Sequence, residues 1–230
     1  LFGFGAGALA LFLFAISPVQ YTAYQYFLWK DALGTALLLL SFLLIEKRSW
    51  GAVLPASLLF ITHTTSSIIF ILTITVFLIF KILKSNHSNI LQNIRMILAI
   101  LIIGLASFFV VQWPIHPDYF TNAKALFLET DEFLKLNAFL FPLAIFSLYG
   151  FWSKIKNSIL LPFAIVTAAF PLLSLPFYQR IFTFLDLALI IFAGLGIKFL
   201  FRFKILGYIF ITWMLAATSI QTYGQIVKLQ

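Results

Sequence analysis

The chain has 230 residues, is 63% hydrophobic and only 10% charged, and has a mean hydropathy of +1.07; apolar stretches of bilayer-spanning length follow one another with little polar relief, which excludes a water-soluble globule. Its formal charge of +8 comes from 15 Lys and Arg against 7 Asp and Glu, placed singly or in small clusters between apolar runs. That is the pattern of loop charges that fix orientation in a membrane, not of a stripe that binds nucleic acid, and with no cysteine there are no disulfides, iron–sulfur clusters or thiol nucleophiles.

Leu1 to Ile16 reads as a span or the end of one, and Gly3 with Gly7 forms a GxxxG pair that would let another helix approach. The run begins without a charged segment before it, so the chain reads as a piece of a longer protein. In Ser17 to Gly34, Pro18 is expected to break the helix, Tyr21, Tyr24, Tyr26 and Trp29 supply an interfacial aromatic belt, and Lys30 and Asp31 close the loop. Ala32 to Ile45 spans next and ends at Glu46, Lys47 and Arg48.

Gly51 to Phe80 is longer than the roughly 20 residues that cross a bilayer, and its middle, THTTSS (Thr62 to Ser67), is rich in hydroxyls and holds His63. Either one long tilted helix spans with His63 near its middle, or two shorter helices form a hairpin turning at His63. Lys81 to Asn93 reads as a polar loop with Lys84 and His87, and Ile94 to Val111 as a further span. Gln112 to Leu136 is the acidic segment: Asp118 stands between Pro117 and an aromatic in an interfacial stretch, and Thr121 to Leu136 reads as a short surface helix. Asn137 to Phe151, Ser158 to Leu175, Ile181 to Ile197 and Ile205 to Ile220 complete the spans, with basic turns at Ser153 to Asn157 and at Lys198, Arg202 and Lys204. The expected fold is therefore all-α: a single polytopic transmembrane domain over residues 1–230, with about seven to nine membrane helices and a broken or hairpin pair around His63.

Loop charges arbitrate between the two readings of that pair. With the hairpin, Lys47, Arg48, Lys81, Lys84, Arg95, Lys154, Lys156, Lys198, Arg202 and Lys204 collect on one side, and Lys30, Lys124, Lys135, Arg180 and Lys228 on the other, ten against five. The single span gives nine against six, so the hairpin is preferred. It also puts Asp31, His63, the acidic loop and Arg180 on the side away from the cytoplasm.

Each polar group has a bland reading and a functional one. Arg180, at the mouth of a long apolar run in LPFYQRIFTFLD (Leu175 to Asp186), is either an interfacial anchor or half of an anion site. His63 is a neutral imidazole satisfied by its neighbours or part of a water-filled cavity. Asp186 lies six residues beyond Arg180, so it either bonds another helix or faces the cavity, together with Thr64. Lys30 is an interfacial cation, while Asp31 could orient a sugar hydroxyl or act as a secondary acid or base. His63, His87 and His116 are too scattered for a metal site, and no Gly-rich phosphate loop, GxSxG, HExxH or Walker pattern occurs. No cofactor is called for, and dependence on a divalent metal stays open.

Three stretches together resemble the later portion of GT-C fold glycosyltransferases, the group around the polyprenyl- and dolichyl-phosphate-sugar-dependent mannosyltransferases. They are SPVQYTAYQYFLWKDALG leading into a leucine run, the break THTTSS, and LPFYQRIFTFLDLALIIFAGLG. The resemblance implies sugar transfer at the non-cytoplasmic face from a polyprenyl-phosphate carrier, by a multi-pass protein of the lipid bilayer, expected in the plasma membrane of a prokaryote. Arg180 would hold the carrier phosphate, with His63, Asp31 and Tyr178 lining the same site and Asp118, Asp186 and Thr64 beside it. The family's principal carboxylates belong to a first outer loop upstream of residue 1, so the catalytic base is unassigned. A secondary transporter or flippase module built on Asp186 and His63, or a non-catalytic assembly subunit, are the competing functions.

Overall fold

The computed structural model describes residues 3–84, 90–112, 129–175 and 178–229, and all regular structure among them is helical. Helix α1 (Phe4–Ile16) stops at Ser17, whose extended backbone starts α2 (Pro18–Glu46). The Ser17 hydroxyl accepts from the Gln20 N–H at 3.2 Å, and Pro18 occupies the first turn, where a missing N–H costs nothing. Pro18 therefore begins a helix rather than breaking one. The loop expected over Ser17 to Gly34 is instead the first half of a continuous 29-residue helix.

A turn at Arg48, with φ of 55°, and a short 3-10 segment (Trp50–Ala52) lead into α3 (Val53–Thr62). His63 is extended, with φ −148° and ψ 103°, and α4 (Thr64–Lys84) follows. After α5 (Ile90–Gln112) and α6 (Thr130–Leu136) the chain bends by 70° into α7 (Leu140–Ile155). Next come α8 (Leu160–Leu172), α9 (Tyr178–Leu200), a 3-10 turn (Phe201–Phe203) and α10 (Lys204–Leu229).

Among the described residues two helices are long and apolar enough to cross a membrane, Thr64–Leu83 and Arg180–Phe203, or three if the bent α6–α7 pair is one span. The other apolar segments, Gly5–Ile16, Ala32–Glu46, Trp50–Thr62, Ile94–Ser107 and Leu160–Leu172, are shorter. Fewer long spans are thus counted among the described residues than the expected seven to nine, and His63 and Asn137 mark the breaks of the α3–α4 and α6–α7 pairs. Many outward side chains are apolar, such as Val110 at 83% exposure and Leu172 at 81%, as suits helices that meet lipid rather than water.

Contacts fix the course of the helices. A Cβ on Gly3 would touch the Lys198 Nζ, one on Gly194 would meet the Ala10 backbone, and Ser17 bonds Asp186, so α1 runs antiparallel to α9. Gly196 lies against the Leu143 backbone and Gly150 against the Phe199 ring, so α7 runs parallel to α9. These glycines allow backbones to approach as small residues do in membrane bundles. The expected GxxxG pair plays no such part at Gly7, where an added Cβ would meet nothing within 4 Å.

The arms of the His63 break return to one end. Glu46, shortly before α3, accepts from the Ile159 N–H at 2.6 Å, and Lys81 near the end of α4 donates to the Asn157 carbonyl at 3.3 Å. His63 meanwhile lies on Gly34, whose added Cβ would meet the His63 Cβ at 2.8 Å, and Gly34 is about 18 Å up α2 from Glu46. The pair is therefore a hairpin with its turn at His63. Phe42, Phe70 and Phe163 tie it to α2 and α8, with Phe42 stacked on Phe70 at 5.8 Å and edge-on to Phe163 at 5.5 Å.

Candidate functional site

The bundle has two chemically different ends. At one, the α2 end, the α4 end and the α7–α8 turn meet through Glu46, Lys81, Asn157 and Ile159. Ile159 at the start of α8 receives no side-chain cap from its own segment, and the Glu46 carboxylate supplies the acceptor from α2. Arg202 lies over the Phe151 and Phe199 rings, 6.0 and 5.7 Å from their centres, which brings the end of α9 to the same side. Lys47, Arg48, Lys154, Lys156 and Lys198 belong to the same corners, so this is the basic end.

At the opposite end, His63 acts first as a helix cap. Its Nδ1 accepts from the Ser66 N–H at 3.2 Å and lies 2.6 Å from the Ser66 hydroxyl. Accepting at Nδ1 places the proton of the neutral ring on Nε2, which leaves Nε2–H as a donor. Ser67 ties the two arms by donating to the Leu59 and His63 carbonyls at 3.1 and 2.9 Å. His63 and Thr64 are both half-buried.

Arg180 is half-buried in the first turn of α9, where its carbonyl accepts from the Thr183 hydroxyl at 3.0 Å. Further along α9, Asp186 is completely buried. Its Oδ2 accepts from the Ser17 hydroxyl and from the Gln20 amide, each at 2.8 Å, and the same Gln20 amide donates to the Thr183 carbonyl at 2.8 Å. Asn137, the residue that ends α6, is buried, and its Nδ2 donates to the Phe133 carbonyl at 3.2 Å. Asp186 thus bonds another helix, one of the two roles open to it in the sequence.

The expected site residues fall into two groups. Arg180 and Asp186 share α9, while His63 and Thr64 share the hairpin turn; α2 touches both groups, at Gln20 and at Gly34, about 21 Å apart along its axis. Asp31 lies one turn before Gly34 and Tyr178 opens α9, but both side chains lie outside the described residues, as does Asp118 altogether. Among the described residues no three His, Asp or Glu side chains converge as metal ligands do.

Sequence reasoning passed over Ser17, Gln20, Asn137, Glu46 and Ser66. Ser66, three residues after a helix break, and Ser17, directly before a proline, had local signals; Gln20 and Glu46 act on helices far away in sequence. Comparison with known proteins finds no matching family model, no matching curated protein and no matching solved structure.

Proposed function

We propose that the chain is the multi-pass membrane core of a GT-C-type glycosyltransferase that takes a sugar from a polyprenyl-phosphate carrier at the non-cytoplasmic face, in the plasma membrane of a prokaryote. One observation supports this most: the His63 turn and the Arg180 turn of α9 both lie away from the basic end, and basic loops stay cytoplasmic. In this reading the Arg180 guanidinium meets the carrier phosphate as a permanently charged fork, and the His63 Nε2–H is a further donor on the same side.

The chemistry asks for little more from this part of the molecule. The bond from the sugar's anomeric carbon to the phosphate oxygen breaks, its electron pair leaves with the lipid phosphate, and a bond to the acceptor oxygen forms as a base takes the acceptor's proton. Positive charge at the departing phosphate lowers that barrier. The base is unassigned in this chain.

The test uses the full chain in lipid nanodiscs with a polyprenyl monophosphate as the probe. Arg180→Ala is expected to weaken binding by about 10- to 100-fold, the worth of a charge-assisted hydrogen bond, and Arg180→Lys by less. Unchanged affinity in an Arg180→Ala protein that keeps its helical content and melting temperature overturns the reading. A secondary transporter is the second reading, favoured by the buried carboxyl of Asp186 within a span.

A further inference from the structure

The basic end carries more positive charge than its own carboxylates answer. Among the described residues its carboxylate is Glu46, which is half-buried and accepts from the Ile159 N–H at 2.6 Å. Arg202, Lys154, Lys204, Lys47 and Arg48 are all exposed at this end, and none of them pairs with a carboxylate of the described residues. The ion pair found among those residues, Lys135 with Asp131, belongs to α6, at the other end of α7.

Arg202 is the best-fixed of these cations. It stands at the end of the Arg180–Phe203 span, with its guanidinium carbon 5.7 Å from the centre of the Phe199 ring and 6.0 Å from that of Phe151, so it joins the end of α9 to the end of α7. The rings attract the cation but give its N–H donors no oxygen to bond. Lys154 follows Phe151 by three residues and Lys204 follows Arg202 by two, which adds two charges at the same corner. Exposed rings flank the charge: Tyr149 packs on Phe199 at 5.8 Å and is 84% exposed, and Phe203 packs on Phe199 at 5.5 Å and is exposed as well. A free phosphate ion gains nothing from exposed rings beside it. A phosphate that carries acyl chains does, because the cations meet the head while the rings lie along the chains.

We propose that the α7–α9 corner of the basic end binds an anionic phospholipid of the cytoplasmic leaflet, with the headgroup phosphate on the Arg202 guanidinium and the acyl chains beside Tyr149 and Phe203. The guanidinium meets phosphate oxygens through charge-assisted hydrogen bonds, and Lys154 and Lys204 add to the positive field over the same headgroup. The site shares the membrane placement and orientation of the proposed function and none of its chemistry. Arg180→Ala is expected to leave this lipid bound as in the wild type, so the two readings fail separately.

The test is native mass spectrometry of the full chain, released from detergent with phosphatidylglycerol or with phosphatidylcholine of the same acyl chains. The wild type is expected to hold phosphatidylglycerol the more tightly. Arg202→Gln is expected to weaken phosphatidylglycerol binding by about fivefold, the worth of one charge near an anionic lipid surface, and to leave phosphatidylcholine binding unchanged. Arg202→Lys should fall between the two. Equal affinity for the two lipids, or phosphatidylglycerol binding indifferent to Arg202→Gln, overturns the proposal. An equal fall in Lys135→Gln, which removes a charge from α6 instead, overturns it as well, and so does displacement of the lipid by inorganic phosphate, which would assign the corner to a free anion. Should Arg202→Gln fail to fold, Lys154→Gln combined with Lys204→Gln alters exposed side chains only and is expected to weaken phosphatidylglycerol binding by at least as much. No fall in that double variant overturns the proposal.

Discussion

The α9 interior and the α3–α4 hairpin both place polar groups among apolar ones, yet they use them in opposite ways. Around Asp186 the hydrogen bonds join elements distant in sequence, since Ser17 and Gln20 come from the α1–α2 corner. Around His63 the turn is closed by local bonds, from the ring to Ser66 and from Ser67 to Leu59 and His63. The first arrangement joins distant helices; the second shapes the turn between two consecutive ones. Loss of a group from the first should therefore loosen several helices, and loss from the second one helix end.

The sharpest way to break the contrast lies at the glycines of α9. Gly196→Val would drive a branched side chain into the Leu143 backbone of α7, which has no rotamer by which to retreat. A loss of about 3 kcal/mol or more is expected, read as a large fall in melting temperature in detergent, whereas Gly7→Ala should change nothing because its Cβ meets open space. Equal effects at both positions would deny α9 its central place. Asp186→Ala comes next, at about 2 to 3 kcal/mol, because it strands the Ser17 hydroxyl and one bond of the Gln20 amide inside the bundle.

The same contrast explains what the sequence discloses. Helical class and the break at THTTSS were legible, since apolar run length and a hydroxyl-rich interruption are properties of a single stretch. The hairpin was legible only through charge, and Lys81 and Glu46 meeting the α7–α8 turn is the geometry that the ten-to-five split of cations anticipates. The Pro18 segment misled: a proline after serine marks a helix start as readily as a helix stop, and the choice fell to the Ser17 cap and its bond to Asp186. That bond joins residues 169 apart in the chain, and no local pattern carries it. Tyr178, Asp31 and Asp118 were singled out by residue type and neighbourhood, which name a group without fixing where it points.

A smaller effect is expected at the basic end. Glu46→Ala would leave the Ile159 N–H without its acceptor, at about 1 to 2 kcal/mol, and would loosen α8 from α2 without touching the hairpin turn. Glu46→Gln keeps an oxygen acceptor and should recover part of this. Hydrogen exchange at the start of α8 separates the two variants, and equal protection in both would assign the effect to charge rather than to capping.

The smallest effect belongs to His63, and it bears most on function. If the imidazole only caps α4, His63→Asn should keep nearly full stability, since asparagine is among the best residues at that position, and His63→Ala should lose about 1 kcal/mol. Asparagine on its shorter stem does not reproduce the Nε2–H donor of the ring. A His63→Asn chain that melts like the wild type but binds the carrier lipid less tightly would separate capping from ligand contact. One that matches the wild type in both would leave the hairpin turn with a structural role and move the carrier site onto α9.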